Sequence, residues 1–175
     1  MNFEDVQKVS NAAKAKSNLV NTNFFKYFIR AVMAGFFIDV AMIYSNVVGN
    51  VFSKTMPEWG KFVGALVFSI AVLLISFVGG ELFTGNNMVM SIGSMQKTVT
   101  WGQTFRLWAV CYIGNLLGSV VAAVIFTLTA IPASGAVGEF FVNATVNKIS
   151  GAPLALFAKG IMCNILVCLA VWCAS

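Results

Sequence analysis

The sequence predicts an all-α integral membrane protein, a helical bundle whose second transmembrane helix is broken. Three observations predict it. Hydrophobic residues make up 59% of the 175 residues and charged residues 10%, with a mean hydropathy of +0.86. A soluble domain of this size needs far more charge to cover its surface. Apolar stretches recur that are long enough to cross a bilayer, which takes about twenty helical residues each. The third observation is Gly79-Gly80-Glu81-Leu82-Phe83-Thr84-Gly85-Asn86-Asn87, which sets a carboxylate, a hydroxyl, two amides and three glycines inside an apolar run. Lipid cannot hydrogen-bond to backbone freed by a broken helix, so such a break persists only inside protein or along a water-filled path. Channels and secondary transporters build solute sites this way. A solute path that includes the break is therefore expected.

The N-terminal stretch from Met1 to Thr22 is polar and amphipathic. It lacks the apolar core of a signal peptide, so the first span reads as an uncleaved anchor. Within it, residues 3–19 fit an interfacial amphipathic helix: Phe3, Val6, Val9 and Ala13 recur at helical spacing among Lys8, Lys14 and Lys16. Residues 24–52 form the first span, with Asp39 in its middle; Asp39 either pairs with a lysine or caps backbone. Thr55 to Gly60 reads as a turn with Trp59 at the interface.

Residues 61–96 are too long for one straight span and too short for two. A loop at 79–87 resolves this, between a long half-helix ending at Gly79 and a short one from Met88 to Gln96. Paired glycines can end the first half, and Asn86 or Asn87 can cap the second. Lys97 to Arg106 is a polar connector, and residues 107–131 are the third span. Its Gly114 and Gly118 are four apart, a spacing that lets another helix approach closely. Pro132 to Gly138 reads as a loop, Glu139 to Lys148 as a short surface helix, and residues 154–173 as the fourth span. Four spans with one unmatched broken helix suggest that the chain, which stops at Ser175, is the first part of a longer protein.

Basic residues orient these spans. Lys8, Lys14, Lys16, Lys26, Arg30, Lys97 and Arg106 fall on the N-terminal side; Lys54, Lys61, Lys148 and Lys159 fall on the other. The excess predicts a cytoplasmic N-terminus and a multi-pass protein of the inner (plasma) membrane. The net charge of +5 is thus explained by topology and membrane lipid rather than nucleic acid.

Several side chains carry possible chemistry. Glu81 is costly at membrane depth. It serves either as a proton or cation site or, as the better reading, as a cap for freed amides. Thr84 can donate and accept, and at the loop apex it reads as a contact for solute or a partner side chain more readily than as a back-bond to its helix. Leu82, Phe83 and Phe68 form an apolar constriction or simply pack. Lys148 and Lys159 gather anions at a pore mouth or snorkel. Asn164 bonds across helices or lines a pore. Cys111, Cys163, Cys168 and Cys173 read as small buried hydrophobes; there is no CxxC spacing and no histidine, which argues against a metal or cofactor. No nucleophile–base pair or phosphate cradle is visible, so an enzyme is disfavoured. A water or glycerol channel remains the alternative, without the paired Asn-Pro-Ala turns it would need.

Four stretches carry a resemblance: Glu81 to Asn86, Thr100-Trp101-Gly102-Gln103, Gly114-Asn115-Leu116-Leu117-Gly118, and, most specific, Lys159 to Trp172. Over nearly the whole chain the sequence resembles the formate/nitrite transporter family, with the greatest overall similarity to its hydrosulfide-channel branch. The resemblance implies an aquaporin-like fold of six spans in two inverted repeats, about four of them in this chain. It implies a homopentamer with one pore per protomer, carrying hydrosulfide, formate or nitrite without a cofactor. It implies that Thr84 bonds a histidine in the remaining part, and that Leu82 and Phe68 form constrictions. Lys148 and Lys16 are then the outer and inner vestibule lysines and Asn164 a polar pore residue. Val72 lines the path where relatives often have leucine. Gly85 and Asn86, with Glu81, shape the loop.

Overall fold

The computed structural model describes residues 3–133 and 135–173. Met1, Ser134 and Ser175, which belong respectively to the N-terminal stretch, the connector after the third span and the end of the chain, lie outside them. The described residues form helices joined by short connections, with no strand among them. Eight α-helices run in order: α1 (Phe3–Thr22), α2 (Phe24–Thr55), α3 (Pro57–Phe68), α4 (Ile70–Val78), α5 (Phe83–Met95), α6 (Trp101–Leu128), α7 (Gly135–Ile149) and α8 (Pro153–Cys173). Four stretches are long and apolar enough to cross a membrane: α2, α3 continued by α4 (Glu58–Val78), α6 and α8. Ser69 separates α3 from α4 but keeps right-handed helical angles (φ −58°, ψ −21°), so the two read as one span.

The helix α1 packs against α2, α5 and α6. Its buried stripe is Val9, Ser10, Ala13, Ser17 and Val20, while Phe3 is exposed. The apolar face therefore covers protein rather than head groups. Ser10 shares a 2.9 Å hydrogen bond with Thr98, and Arg106 donates to Asn21 Oδ1 at 2.9 Å, so the middle of α1 is tied to the connector before α6 and its C-terminal end to the early part of α6.

The pair α2 and α6 forms the backbone of the bundle. The buried positions of α6 are Thr104, Leu107, Cys111, Gly114, Gly118 and Ala122, one face at helical spacing. Small residues let the two backbones approach, which in lipid takes the place of a hydrophobic drive. Gly118 and Gly35 are equally tight points: a Cβ at Gly118 would overlap the carbonyl oxygen of Val32 on α2, and one at Gly35 that of Asn115 on α6.

Several boundaries differ from the sequence reading. The turn at 55–60 shrinks to Met56, because Pro57 occupies the first helical turn, where its missing N–H is no loss. The connector 97–106 ends at Thr100, because a capping box joins Thr100 and Gln103 in both directions and starts α6 at Trp101. The surface helix before the last span begins at Gly135, after a 3₁₀ turn at Ile131–Ala133. A further shift is at the break. The loop spans 79–82 rather than 79–87, and the second half-helix starts at Phe83 rather than Met88. Neither Asn86 nor Asn87 caps it; extended Leu82 (φ −93°, ψ 131°) stands at that position without a side-chain cap bond.

Candidate pore-lining site at the broken span

The first half-span ends because Gly79 adopts left-handed angles (φ 73°, ψ 38°), which an L side chain reaches only under strain. Its neighbour Gly80 donates back to the Ile75 carbonyl at 2.8 Å. The chain is then fastened to two other spans. Glu81 N–H donates to the Arg30 carbonyl on α2 at 3.1 Å. Asn115 on α6 serves three backbone groups. Its Oδ1 accepts Phe83 N–H at 2.9 Å, and its Nδ2 donates to the carbonyls of Ala31 at 2.8 Å and Glu81 at 2.9 Å. A side chain from a neighbouring helix thus caps α5 in the place of a local one.

That arrangement corrects the reading of Glu81 as a cap. Its side chain, in a residue only 4% exposed, accepts from Lys16 Nζ at 2.5 Å and from Asn86 Nδ2 at 3.0 Å. A buried carboxylate needs a charge partner or a proton, and α1 brings the partner. Asn86 Nδ2 also donates to Tyr27 Oη at 3.0 Å and Cys111 Sγ at 3.3 Å, and the Asn86 carbonyl accepts Trp108 Nε1–H at 3.2 Å. Cys111 is not the inert hydrophobe expected: its thiol donates to the Glu81 carbonyl at 3.2 Å. Sequence reasoning does not single out Tyr27, Cys111 or Asn115 as site residues. An Asn at the centre of a small-residue stripe in α6 is the available signal.

The break opens on a cavity of about 350 Å³, lined among others by Lys16, Arg30, Val72, Glu81, Leu82, Gly85 and Asn86. Val167 and Val171 of α8 close one wall, and Gly85 leaves Val171 the room to do so. Phe68 does not line this cavity. Phe83 packs edge-on against Tyr112, ring centroids 5.4 Å apart. Thr84 lies in the first turn of α5. Its carbonyl faces the Cys168 thiol of α8 at 3.7 Å, and its Oγ1 is buried without a hydrogen-bond partner among the described residues.

The remaining expected residues lie apart. Lys148, at the end of α7, reaches Met42 Sδ at 3.7 Å; Met42 is about 18 Å along α2 from Arg30, at 1.5 Å per residue. Asp39 lies beside Ser119 and within the field of Lys148 without closing a salt bridge among the described residues. Lys159 is exposed. Asn164 accepts from the Cys168 thiol one turn on, at 3.0 Å, a bond within its own helix. Cys163 and Cys173 are exposed and Cys168 half-buried, all as free thiols. No cluster of potential metal ligands occurs among the described residues.

A bundle of spans around a broken helix, with fixed polar groups and a cavity at the break, defines a membrane protein of the channel and transporter class. The profile of the family described as formate/nitrite transporter matches residues 3–175. The chain belongs to the formate/nitrite transporter family. It is 30% identical to the uncharacterized transporter YwcJ of Bacillus subtilis (strain 168), over 97% of this chain and 66% of that protein. A solved FNT family ion channel superposes with a TM-score of 0.90 at 28% identity, covering 99% of this chain and 68% of the other. A pentameric formate channel with formate bound superposes at 0.73 with 33% identity, covering 85% and 58%. The chain thus spans about two thirds or less of the relatives it matches.

Proposed function

We propose that the full-length protein is a channel for small monovalent anions, with formate, nitrite and hydrosulfide as the candidates. The observation that carries this is the cavity at the break, where cationic side chains face the same space as Val72 and Leu82. Burying a bare anion is expensive. Positive charge beside an apolar neck lowers that cost while the neck excludes strongly hydrated ions. The protein acts as a homopentamer with one pore per protomer, a reading supported by its likeness to a formate channel that is itself pentameric. It lies in the plasma membrane with its N-terminus in the cytoplasm. Leu82 and Val72 narrow the path, Phe68 and Asn164 border it further along, and Lys148 attracts anions at the outer mouth. Thr84 meets a proton-carrying side chain from the remaining spans, and a weak-acid anion crosses the apolar neck neutral after gaining a proton.

The test is flux into proteoliposomes holding the full-length protein, with formate, nitrite, hydrosulfide and glycerol. Anion flux that rises as pH falls toward the substrate pKa is expected. A flat pH profile removes the proton step, and glycerol flux alone replaces the anion reading with a neutral-solute channel.

A further inference from the structure

Lys16 and Arg30 line the same cavity, but they do not bring the same net charge to it. Lys16 is paired with Glu81, and the two sum to zero. Glu81 is the one acid in the lining. Among the described residues no acidic group lies within salt-bridge distance of Arg30. Its guanidinium is therefore the uncompensated charge of the cavity. Arg30 is half-buried in an apolar span, where a charge without a partner is rare and marks a solute path by default. Its position is fixed as well: the Arg30 carbonyl receives Glu81 N–H, so the turn that carries the guanidinium is tied to the break.

We propose that Arg30 is the anion-recruiting residue of this cavity and that its subsite favours small planar oxyanions, with Lys16 serving to hold the break. This rests on the anion-channel reading above and deepens it. The guanidinium offers a rigid planar fork of donors that matches two oxygens on one carbon or nitrogen. Formate and nitrite present two such oxygens; hydrosulfide presents one sulfur and gains only from the charge.

The experiment uses the full-length protein in proteoliposomes, comparing Arg30→Gln and Arg30→Lys with wild type. Arg30→Gln is expected to lower flux of all three anions about tenfold at low anion concentration, since the local field that concentrates them is lost. Arg30→Lys is expected to keep hydrosulfide flux within about twofold while lowering formate and nitrite about fivefold, since charge remains and the fork is gone. Arg30→Gln pentamers whose three fluxes stay within about twofold of wild type overturn the recruiting role. Equal losses of all three anions in Arg30→Lys overturn the oxyanion preference. If Arg30→Gln does not assemble, a water-soluble dicarbonyl reagent on wild type decides the matter, read by mass spectrometry. Formate is expected to slow modification of Arg30 but not of Arg106, and equal rates with and without formate overturn the subsite. Wild type without anion flux defeats the channel reading itself, whereas wild-type flux with an unprotected Arg30 defeats only this inference.

Discussion

Lys16 and Glu81, 65 residues apart in sequence, meet with Nζ 2.5 Å from Oε2, so that a helix preceding the first span clamps the break in the second. Side-chain exposures are 24% and 6%, so the lysine keeps some contact with solvent and the carboxylate almost none. Removing one partner from a buried pair is costly because the other charge is left alone. In the full-length protein, Lys16→Gln and Glu81→Gln should each lower thermal stability, Lys16→Gln more so because it strands the deeper charge. The double substitution should be milder than their sum, with a coupling of about 1–2 kcal/mol. Thermal unfolding of the purified full-length protein checks this, and simple additivity would show that the pair does not hold the break.

Asn115 bears on the same break from the opposite side. Its amide serves Phe83 N–H and the carbonyls of Ala31 and Glu81. Asn115→Ala strands these groups where water is scarce, and the expected loss is about 2–4 kcal/mol, since each unmade buried bond costs roughly 1–3 kcal/mol. Asn115→Asp should rescue little, because it keeps the acceptor and loses both donors. Increased protease cleavage near 79–82, together with a lowered melting temperature, is the expected signature. Unchanged cleavage would mean that the loop is held by other groups.

Gly118 tests the packing of α2 on α6. A methyl group there would run into the Val32 carbonyl, and backbone cannot step aside as a flexible side chain can. Gly118→Ala should cost about 1–3 kcal/mol by overpacking, and Gly118→Leu should abolish assembly. Gly160→Ala is the control, since nothing lies within 4 Å of its added Cβ. Size-exclusion chromatography in detergent reads the difference, and equal assembly of the two alanine variants would contradict the close crossing.

The broken span was legible because two local signals coincide there: adjacent glycines and a carboxylate within an apolar run. What the break bonds to was not legible, because its partners are non-local. Asn86 reaches Tyr27 across 59 residues, and Asn115 reaches Glu81 across 34; no periodicity within one helix encodes such a meeting. The same limit misplaced the start of α5. Asn86 has the composition of a local cap, but an amide from α6 meets Phe83 and lets the helix begin a turn earlier. Lys16 was found as a cation, yet its pairing with Glu81 required the position of α1 on the bundle, which amphipathicity alone also fits to a lipid surface.

Thr84 separates a structural role from a functional one. Its Oγ1 is buried with no hydrogen-bond partner among the described residues, while Asn86, two residues on, is fully engaged. A hydroxyl retained in such a place gives up solvation without recovering it inside this part of the fold, a deficit of about 1–3 kcal/mol. Thr84→Val has nearly the same shape and removes only the polar atom. In the full-length protein it should therefore shift stability less than Asn115→Ala does, while lowering anion flux about tenfold or more, as loss of one well-placed polar contact commonly does. Parallel melting and flux measurements make the comparison. A large stability loss with flux per folded protein unchanged would make Thr84 a structural residue and move the solute path away from the start of α5.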